Sequence, residues 1–211
     1  MSSVPDEDLT ARATIRNAAL RLFAERGADV VTVREIAAAA GVSAALVLHH
    51  FGSKDGLRVA VDSYAAQAFD AILDGLQGQD LADLFTGAAR GSIAEAFARG
   101  FPHGSPLPAY LRRLLLTNDP AGAALFGRWY AGTVAVLDAM TDLGVVRPSG
   151  DPAVRAAFML VNDLALILLR NQIATVIGVD PLSPEGITRW AEEGVAVYAE
   201  GVFRLPTEEG K

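Results

Sequence analysis

The sequence predicts an all-α fold in which a small N-terminal helix-turn-helix module precedes a larger helical body. Apolar residues recur at helical spacing along most of the 211 residues, and no convincing run alternates as a strand does. Hydrophobic residues make up 51% of the chain, which is ample for a buried core. Residues 32–54 indicate two short helices joined by a tight turn.

The N-terminal module is expected to contain three helices. The first covers about residues 10–26, and its apolar face should support the other two. Thr32 is a good N-cap for the second helix, and Gly41 supplies the left-handed residue that ends it. Ser43 then caps the third helix, over about residues 44–50.

The body follows through a fourth helix, predicted from Lys54 to about Leu76, which is long enough to connect it to the module. Glycine and proline clusters separate five further predicted helices, at about residues 81–99, 106–117, 120–143, 151–177 and 184–203. We therefore predict two domains, the module at residues 1–56 and the body at residues 57–211.

The third helix is placed to read DNA, because the second helix of such a pair enters the major groove with its N-terminal residues against the bases. The residues turned outward are Ala44, Ala45, Leu46 and His49. The first three offer only apolar contact, for example to thymine methyl groups, so polar readout falls to His49 and to Arg34. The alternative for Arg34 is a solvated side chain paired with Glu35 or another neighbour.

A family motif runs through this segment and reads T-x-x-x-I-A-x-x-A-G-V-S, followed by F and K. The residues that fit it are Thr32, Ile36, Ala37, Ala40, Gly41, Val42, Ser43, Phe51 and Lys54. Over about residues 10–60 the chain therefore resembles the TetR family of bacterial transcriptional regulators. His50 stands where that family has His or Tyr. Leu48 departs from the pattern, because the family usually has a tyrosine there whose hydroxyl touches a DNA phosphate.

The resemblance implies roles for the remaining residues of the motif. The position of Arg34 often reaches a base edge, Ser43 begins the reading helix, and Thr32, His50 and Lys54 would hold phosphates. TetR-like proteins usually dimerise through their last two helices and carry a pocket among the middle helices. We therefore expect three partners: a double-stranded DNA operator, an apolar or aromatic small-molecule effector, and a second copy of the chain.

The net charge of −7 is unevenly divided along the chain. Residues 1–60 hold seven basic and seven acidic residues, and without the acidic tip at residues 6–8 the balance of residues 9–60 is seven against four; residues 61–211 hold eleven basic residues against eighteen acidic ones. A locally basic module on an acidic body would orient the module toward DNA and keep the body away from it.

The ligand site is expected among the aromatic residues of the body, with one or two polar groups to orient the ligand. The candidates are Phe97, Phe101, Tyr110, Phe126, Trp129, Phe158, Asn162 and Asp163. The alternative is that most of these aromatic residues are simply core. A carboxylate in so apolar a helix needs a partner, and Arg155 and Arg170 are possible partners for Asp163.

The dimer interface is expected on the last helix, where apolar and small residues repeat at helical spacing. The candidates are Ile187, Trp190, Ala191, Gly194 and Tyr198. The alternative is a stripe that faces the core of its own protomer, because periodicity separates core from interface poorly.

Other function classes are disfavoured by the composition. The chain has no cysteine, and the adjacent His49 and His50 point about 100° apart on a helix, so we expect no metal site and no cofactor. His103 and Ser105 lack a nucleophile elbow and a placed carboxylate, so no catalytic residue is predicted. The polar, acidic N-terminus and the lack of a long charge-free stretch favour a cytoplasmic protein without a membrane segment.

These observations favour a ligand-responsive transcriptional regulator, a repressor that binds a near-palindromic operator as a homodimer. The alternative is a helical small-molecule-binding protein whose DNA-binding module is impaired, which Leu48 and the apolar reading helix make conceivable. A small helical enzyme is the third class, and it lacks any recognisable site.

Overall fold

The computed structural model describes residues 6–77, 101, 104–117 and 119–200 of the chain, and within these ranges it contains nine α-helices and no strand. This agrees with the predicted all-α fold. The helices are α1 Asp6–Arg26, α2 Val33–Ala40, α3 Ala44–Phe51, α4 Lys54–Gln77, α5 Leu107–Leu116, α6 Pro120–Asp142, α7 Pro152–Leu168, α8 Arg170–Ile177 and α9 Pro184–Glu200. The helix predicted at 81–99 lies outside the described residues.

Local capping signals set the bounds of α2 and α3. Thr32 and Glu35 form a capping box, in which the threonine side chain accepts from the Glu35 backbone and the Glu35 side chain accepts from the Thr32 backbone. Gly41 ends α2 with φ +69°, a left-handed conformation that glycine adopts without strain. Ser43 caps α3 by accepting a hydrogen bond from the Leu46 backbone at 3.1 Å. These three predicted caps are confirmed.

The module is held together by apolar side chains that are fully buried between α1, α2, α3 and the start of α4. The fully buried residues include Ile15, Phe23, Ile36, Val47 and Leu57. Complete burial of such side chains stabilises by about 1.5–3 kcal/mol each. The packing fixes the angle between α2 and α3 and so determines which face of α3 stays outside.

The body packs on the module through α5, which lies against α1 and α4. Tyr110 of α5 donates a hydrogen bond to Asp62 of α4 at 2.5 Å. Burial, and then the neighbouring carboxylate, raise the pKa of the Tyr110 hydroxyl far above its usual range, so it stays a donor. Next along the chain, α6 approaches α5 so closely that a Cβ on Gly122 would lie 2.0 Å from the Leu114 carbonyl oxygen.

The predicted single helix at 151–177 is wrong, because the chain turns by 81° between α7 and α8. Leu169 leaves the helical region with φ −116° and ψ 23°. The next residue, Arg170, donates two hydrogen bonds to Asp180, at 2.8 and 2.5 Å, and this ion pair ties the start of α8 to the turn before α9. No glycine or proline marks the break, so periodicity alone could not reveal it.

Among the described residues, no single helix is both long enough and apolar enough to cross a bilayer. The bent pair of α7 and α8 meets the length and composition criteria together, with its 81° bend at Leu169.

Candidate nucleic-acid interface

The outer face of α3 is open to solvent, and its inner face is packed. Val47 is fully buried, whereas Ala45, Leu48 and His49 are exposed and Leu46 is half-buried. An exposed face on the second helix of such a pair is the geometry that major-groove binding needs. The exposed apolar side chain at position 48 suits contact with methyl groups or sugars, where a tyrosine would have offered a hydroxyl.

Arg34 extends from α2 as an exposed side chain. Within the described residues it makes no ion pair with Glu35, because the Glu35 carboxylate is bound to Arg26 at 2.7 Å and to Thr32. Hydrogen bonds from the Thr32 backbone and hydroxyl, and then from Arg26, lower the pKa of Glu35 to about 2. The alternative pairing of Arg34 with Glu35 is therefore not what the structure shows, and the guanidinium keeps its donors for another partner.

Two of the predicted phosphate ligands already make hydrogen bonds within the protein. The Thr32 hydroxyl donates to Glu35 at 2.8 Å, so its proton is already committed within the capping box. Lys54 donates to the Asp29 carbonyl oxygen at 3.0 Å and so fastens the start of α4 to the loop after α1. An ammonium has three donors, so Lys54 retains two for a phosphate.

The two histidines of α3 occupy different environments. His49 is exposed, whereas His50 is half-buried, and their ring centroids lie 5.5 Å apart at 65°. His50 also approaches the Phe51 ring at 6.3 Å. No cluster of three or more His, Cys, Asp or Glu side chains that could hold a metal ion is present in the described part of the chain. Because its side chain is the exposed one, His49 is better placed than His50 for contact with a base edge.

The predicted ligand residues do not all come together. Phe101, Tyr110 and Trp129 are buried in one hydrophobic cluster, and Phe126 packs against it half-buried. Phe158 differs, because it is 66% exposed on the outer face of α7, away from that cluster. Phe97 lies outside the described residues. Helical periodicity placed Phe158 on an apolar helix, but it could not say which side of that helix the body covers.

The polar pair on α7 faces the last helix. The Asn162 amide donates to the Tyr198 hydroxyl of α9 at 3.0 Å. Asp163 is exposed in the protomer, yet the protein atoms crowded around its carboxyl displace enough water to raise its pKa to about 6. Neither predicted arginine reaches Asp163, because Arg170 pairs with Asp180 and Arg155 donates to the carbonyl oxygens of residues 147 and 148.

The predicted interface residues of α9 divide between inside and outside. Ile187 is 3% exposed, and Trp190 packs against the hydrophobic core, so both serve their own protomer. Ala191, Gly194 and Tyr198 are half-buried, and a Cβ on Gly194 would meet nothing within 4 Å. The N-terminal half of the stripe therefore follows the internal alternative, and its C-terminal half remains accessible.

A second apolar stripe covers the outer face of α7, the helix whose nearly all-round apolar sequence predicts one side against the body's interior and another against a second subunit. It consists of Val154, Phe158 and Val161, which are 51–66% exposed. Their spacing of four and three residues puts them on one side of a helix. The signal was present as an all-round apolar helix, but sequence alone could not assign its faces.

Known proteins match the chain over both predicted units. The model of bacterial regulatory proteins of the tetR family matches residues 15–61, and that of the tetracycline-repressor-like C-terminal domain matches residues 103–203. The transcriptional regulatory protein RaaS of Mycobacterium tuberculosis is 39% identical over 166 residues, which are 79% of this chain and 74% of RaaS. The chain belongs to the TetR family. It is a transcriptional regulator of the TetR type, with the helix-turn-helix of that family in its module.

Two further known proteins are similar to this TetR-family chain, one in sequence and one in fold. An HTH-type transcriptional repressor of Mycobacterium tuberculosis is 32% identical over 193 residues, which are 89% of this chain and 88% of the repressor. The crystal structure of AibR in complex with isovaleryl coenzyme A and operator DNA covers 92% of this chain and all of AibR, with a TM-score of 0.63 and 20% identity. The latter likeness shows a shared fold.

Proposed function

We propose that the chain is a ligand-responsive repressor that binds a near-palindromic operator as a homodimer. The observation that carries this proposal is the exposed outer face of α3. Arg34 lies beside it and makes no ion pair among the described residues. The similar repressor of Mycobacterium tuberculosis and the operator complex of AibR support it. Residues 1–56 would bind DNA, and residues 57–211 would bind the ligand and the second protomer.

The proposed docking places α3 in the major groove. Ala44, Ala45 and Leu46 at its N-terminal end would make apolar contacts, and His49 would supply polar readout. Ser43 and Lys54 stand at the N-termini of α3 and α4, where backbone donors favour phosphate oxygens. His50 and Thr32 are the other two proposed phosphate ligands. Thr32 would act through the backbone at the start of α2, whose geometry its capping box fixes.

Arg34 and Lys54 are expected to differ in the kind of contact they make. Arg34→Ala should cost about 1–3 kcal/mol at one operator position only, because an arginine on a base edge reads one base pair. Lys54→Ala should weaken all sequences alike, because phosphates carry no sequence information. Binding of single-position operator variants by fluorescence anisotropy measures both effects.

Arg147→Ala serves as the matched control for these variants, since it removes an exposed arginine from the turn after α6. It should leave operator affinity unchanged. If Arg34→Ala instead lowers affinity equally for every operator variant, the base-reading assignment is wrong.

The proposed dimer interface combines the outer stripe of α7 with the accessible part of α9. An exposed apolar stripe of this kind on a monomer usually marks an interaction surface. The stripe is continuous with α9 through the Asn162–Tyr198 hydrogen bond, so the last long helices present one surface. The proposed partner for this surface is a second copy of the chain, because a dimer with a two-fold axis matches the symmetry of a palindromic operator.

The proposed effector is an apolar or aromatic small molecule that enters beside the buried aromatic cluster of α5 and α6. Phe101, Tyr110, Phe126 and Trp129 would provide apolar contact, with Asn162 and Asp163 as polar groups at the α7 side. Trp129 belongs to α6, and its ring is buried. Asp119, the N-cap of α6, forms an ion pair with Arg58 of α4. A shift of α6 would thus move the helix that begins at Lys54.

Effector binding and operator binding should weaken each other by the same factor. A ligand that lowers operator affinity 10- to 100-fold must lose affinity equally when DNA is bound, a coupling of about 1.4–2.7 kcal/mol. Thermal-shift screening finds the ligand, and calorimetry with and without operator measures the coupling. If the ligands found leave operator affinity unchanged, the aromatic region is not the switch.

The experiment that tests the function as a whole is enrichment of genomic fragments by the intact protein. We expect a small set of fragments that share a near-palindromic sequence. A double variant, Arg34→Ala with Lys54→Ala, should lose them and serves as the control. If the wild-type chain enriches nothing while a small molecule still binds, the alternative of a ligand-binding protein with an impaired module replaces this proposal.

A further inference from the structure

We infer that Arg12 of α1 binds a phosphate of the DNA backbone beside α3, the helix proposed to read the bases. This inference rests on the proposed function, and it concerns a residue outside the helix-turn-helix pair. Its basis is the position of one exposed guanidinium relative to the end of α3. The occupant it fits is a phosphate of duplex DNA.

The Arg12 side chain is held against the reading helix. Its guanidinium carbon lies 5.1 Å from the centroid of the Phe51 ring, and Phe51 is the last residue of α3. A cation over an aromatic face is attracted by the ring quadrupole, by about 0.5–1 kcal/mol at an exposed site. The contact pre-orients a long, otherwise mobile side chain, so less entropy is lost when it meets a ligand.

The donors of Arg12 are available. Across the described residues, Arg12 is exposed and makes no ion pair or hydrogen bond. Its neighbour Arg16, one turn later, is half-buried instead, donates to Asn17 at 3.0 Å and lies 3.7 Å over the Tyr64 ring of α4. Arg16 thus attaches α1 to α4, whereas the exposed Arg12 guanidinium makes no ion pair among the described side chains and lies beside the last residue of α3.

Phosphate is the DNA group that this position fits. The proposed base contacts come from residues 44–49 of α3, whereas Arg12 lies beside Phe51, the last residue of that helix. Duplex DNA carries one negative charge per about 1.7 Å of its axis, so a cation beside a helix that lies in the groove has phosphates within reach. A guanidinium can bind two phosphate oxygens at once through its planar fork.

The test is the salt dependence of duplex binding by the full-length protein, measured for three variants. Arg12→Met keeps an apolar contact with Phe51 but removes the charge, and Arg12→Lys keeps the charge. Arg21→Met is the matched control, because nine residues turn a helix by about 180° and place the exposed Arg21 on the opposite side of α1.

We expect Arg12→Met to reduce the slope of log K against log salt by about 2, one phosphate for each protomer of a dimer. The affinity lost between 50 and 200 mM salt should then shrink about tenfold, equally for operator and random duplex. Arg12→Lys and Arg21→Met should keep the wild-type slope. Unfolding midpoints in urea show whether each variant is intact.

Two results would overturn the inference alone, and a third would overturn it together with the proposed function. If the wild type binds DNA and folded Arg12→Met has an unchanged slope, Arg12 does not bind phosphate, and its role is limited to the contact with Phe51. A change confined to one operator position assigns Arg12 to a base instead. Absence of duplex binding by the wild type contradicts the proposed function itself, and the assignment of Arg12 fails with it.

Discussion

Raising the salt concentration from 50 to 200 mM is expected to weaken operator binding by roughly 10³ or more. Each protomer offers several candidate phosphate ligands, and a dimer doubles their number. Binding at phosphates releases counterions from the DNA, and this release becomes less favourable as the salt concentration rises. For six to ten phosphate contacts, affinity falls by a factor of about 10³–10⁵ over this range. Anisotropy titrations of a labelled operator at four salt concentrations measure the slope.

The uneven charge of the chain makes this expectation specific to the module. Residues 9–60 carry three more basic than acidic residues, and residues 61–211 carry seven more acidic than basic ones. Arg147→Gln, in the turn after α6, should therefore leave the slope unchanged, whereas Lys54→Ala should lower it. Binding that does not respond to salt would contradict a phosphate-based interface.

The helix-turn-helix could be predicted from sequence because its signals are local. Thr32, Gly41 and Ser43 each set a helix end through contacts within a few residues, and the structure confirms all three. The buried face of the pair, with Ile36 and Val47, follows from helical spacing. Local chemistry of this kind needs no knowledge of the rest of the chain.

The body was harder to predict because its features depend on distant contacts. Arg170 pairs with Asp180 and not with Asp163, and the break at Leu169 that accompanies this pair leaves no glycine or proline in the sequence. Likewise, the roles of Phe158 and Ile187 depend on which face of a helix its neighbours cover. Periodicity gives the faces of a helix but not their occupants.

Charges on the outer stripe of α7 are expected to split the dimer and abolish operator binding. In the protomer Phe158 is 66% exposed and Val161 is 51% exposed, so Phe158→Asp with Val161→Asp costs the monomer little. In a dimer the pair would bury four carboxylates without partners, at several kcal/mol each. A monomer reaches only one half-site, so the contacts of the second half-site, one helical turn away, are lost.

Light scattering reports the oligomeric state, and Val176→Asp on α8 is the matched control, since this valine is 80% exposed and outside the stripe. It should remain dimeric. Gly194→Arg tests whether α9 shares the interface, because a Cβ at this position meets nothing within 4 Å among the described residues of the protomer, and a charged side chain buried against a partner would be unfavourable. If Gly194→Arg is monomeric while the α7 variant stays dimeric, the interface lies on α9 alone. A dimer in both variants would exclude the surface formed by α7 and α9 as the interface, and the outer stripe of α7 would then need a different partner.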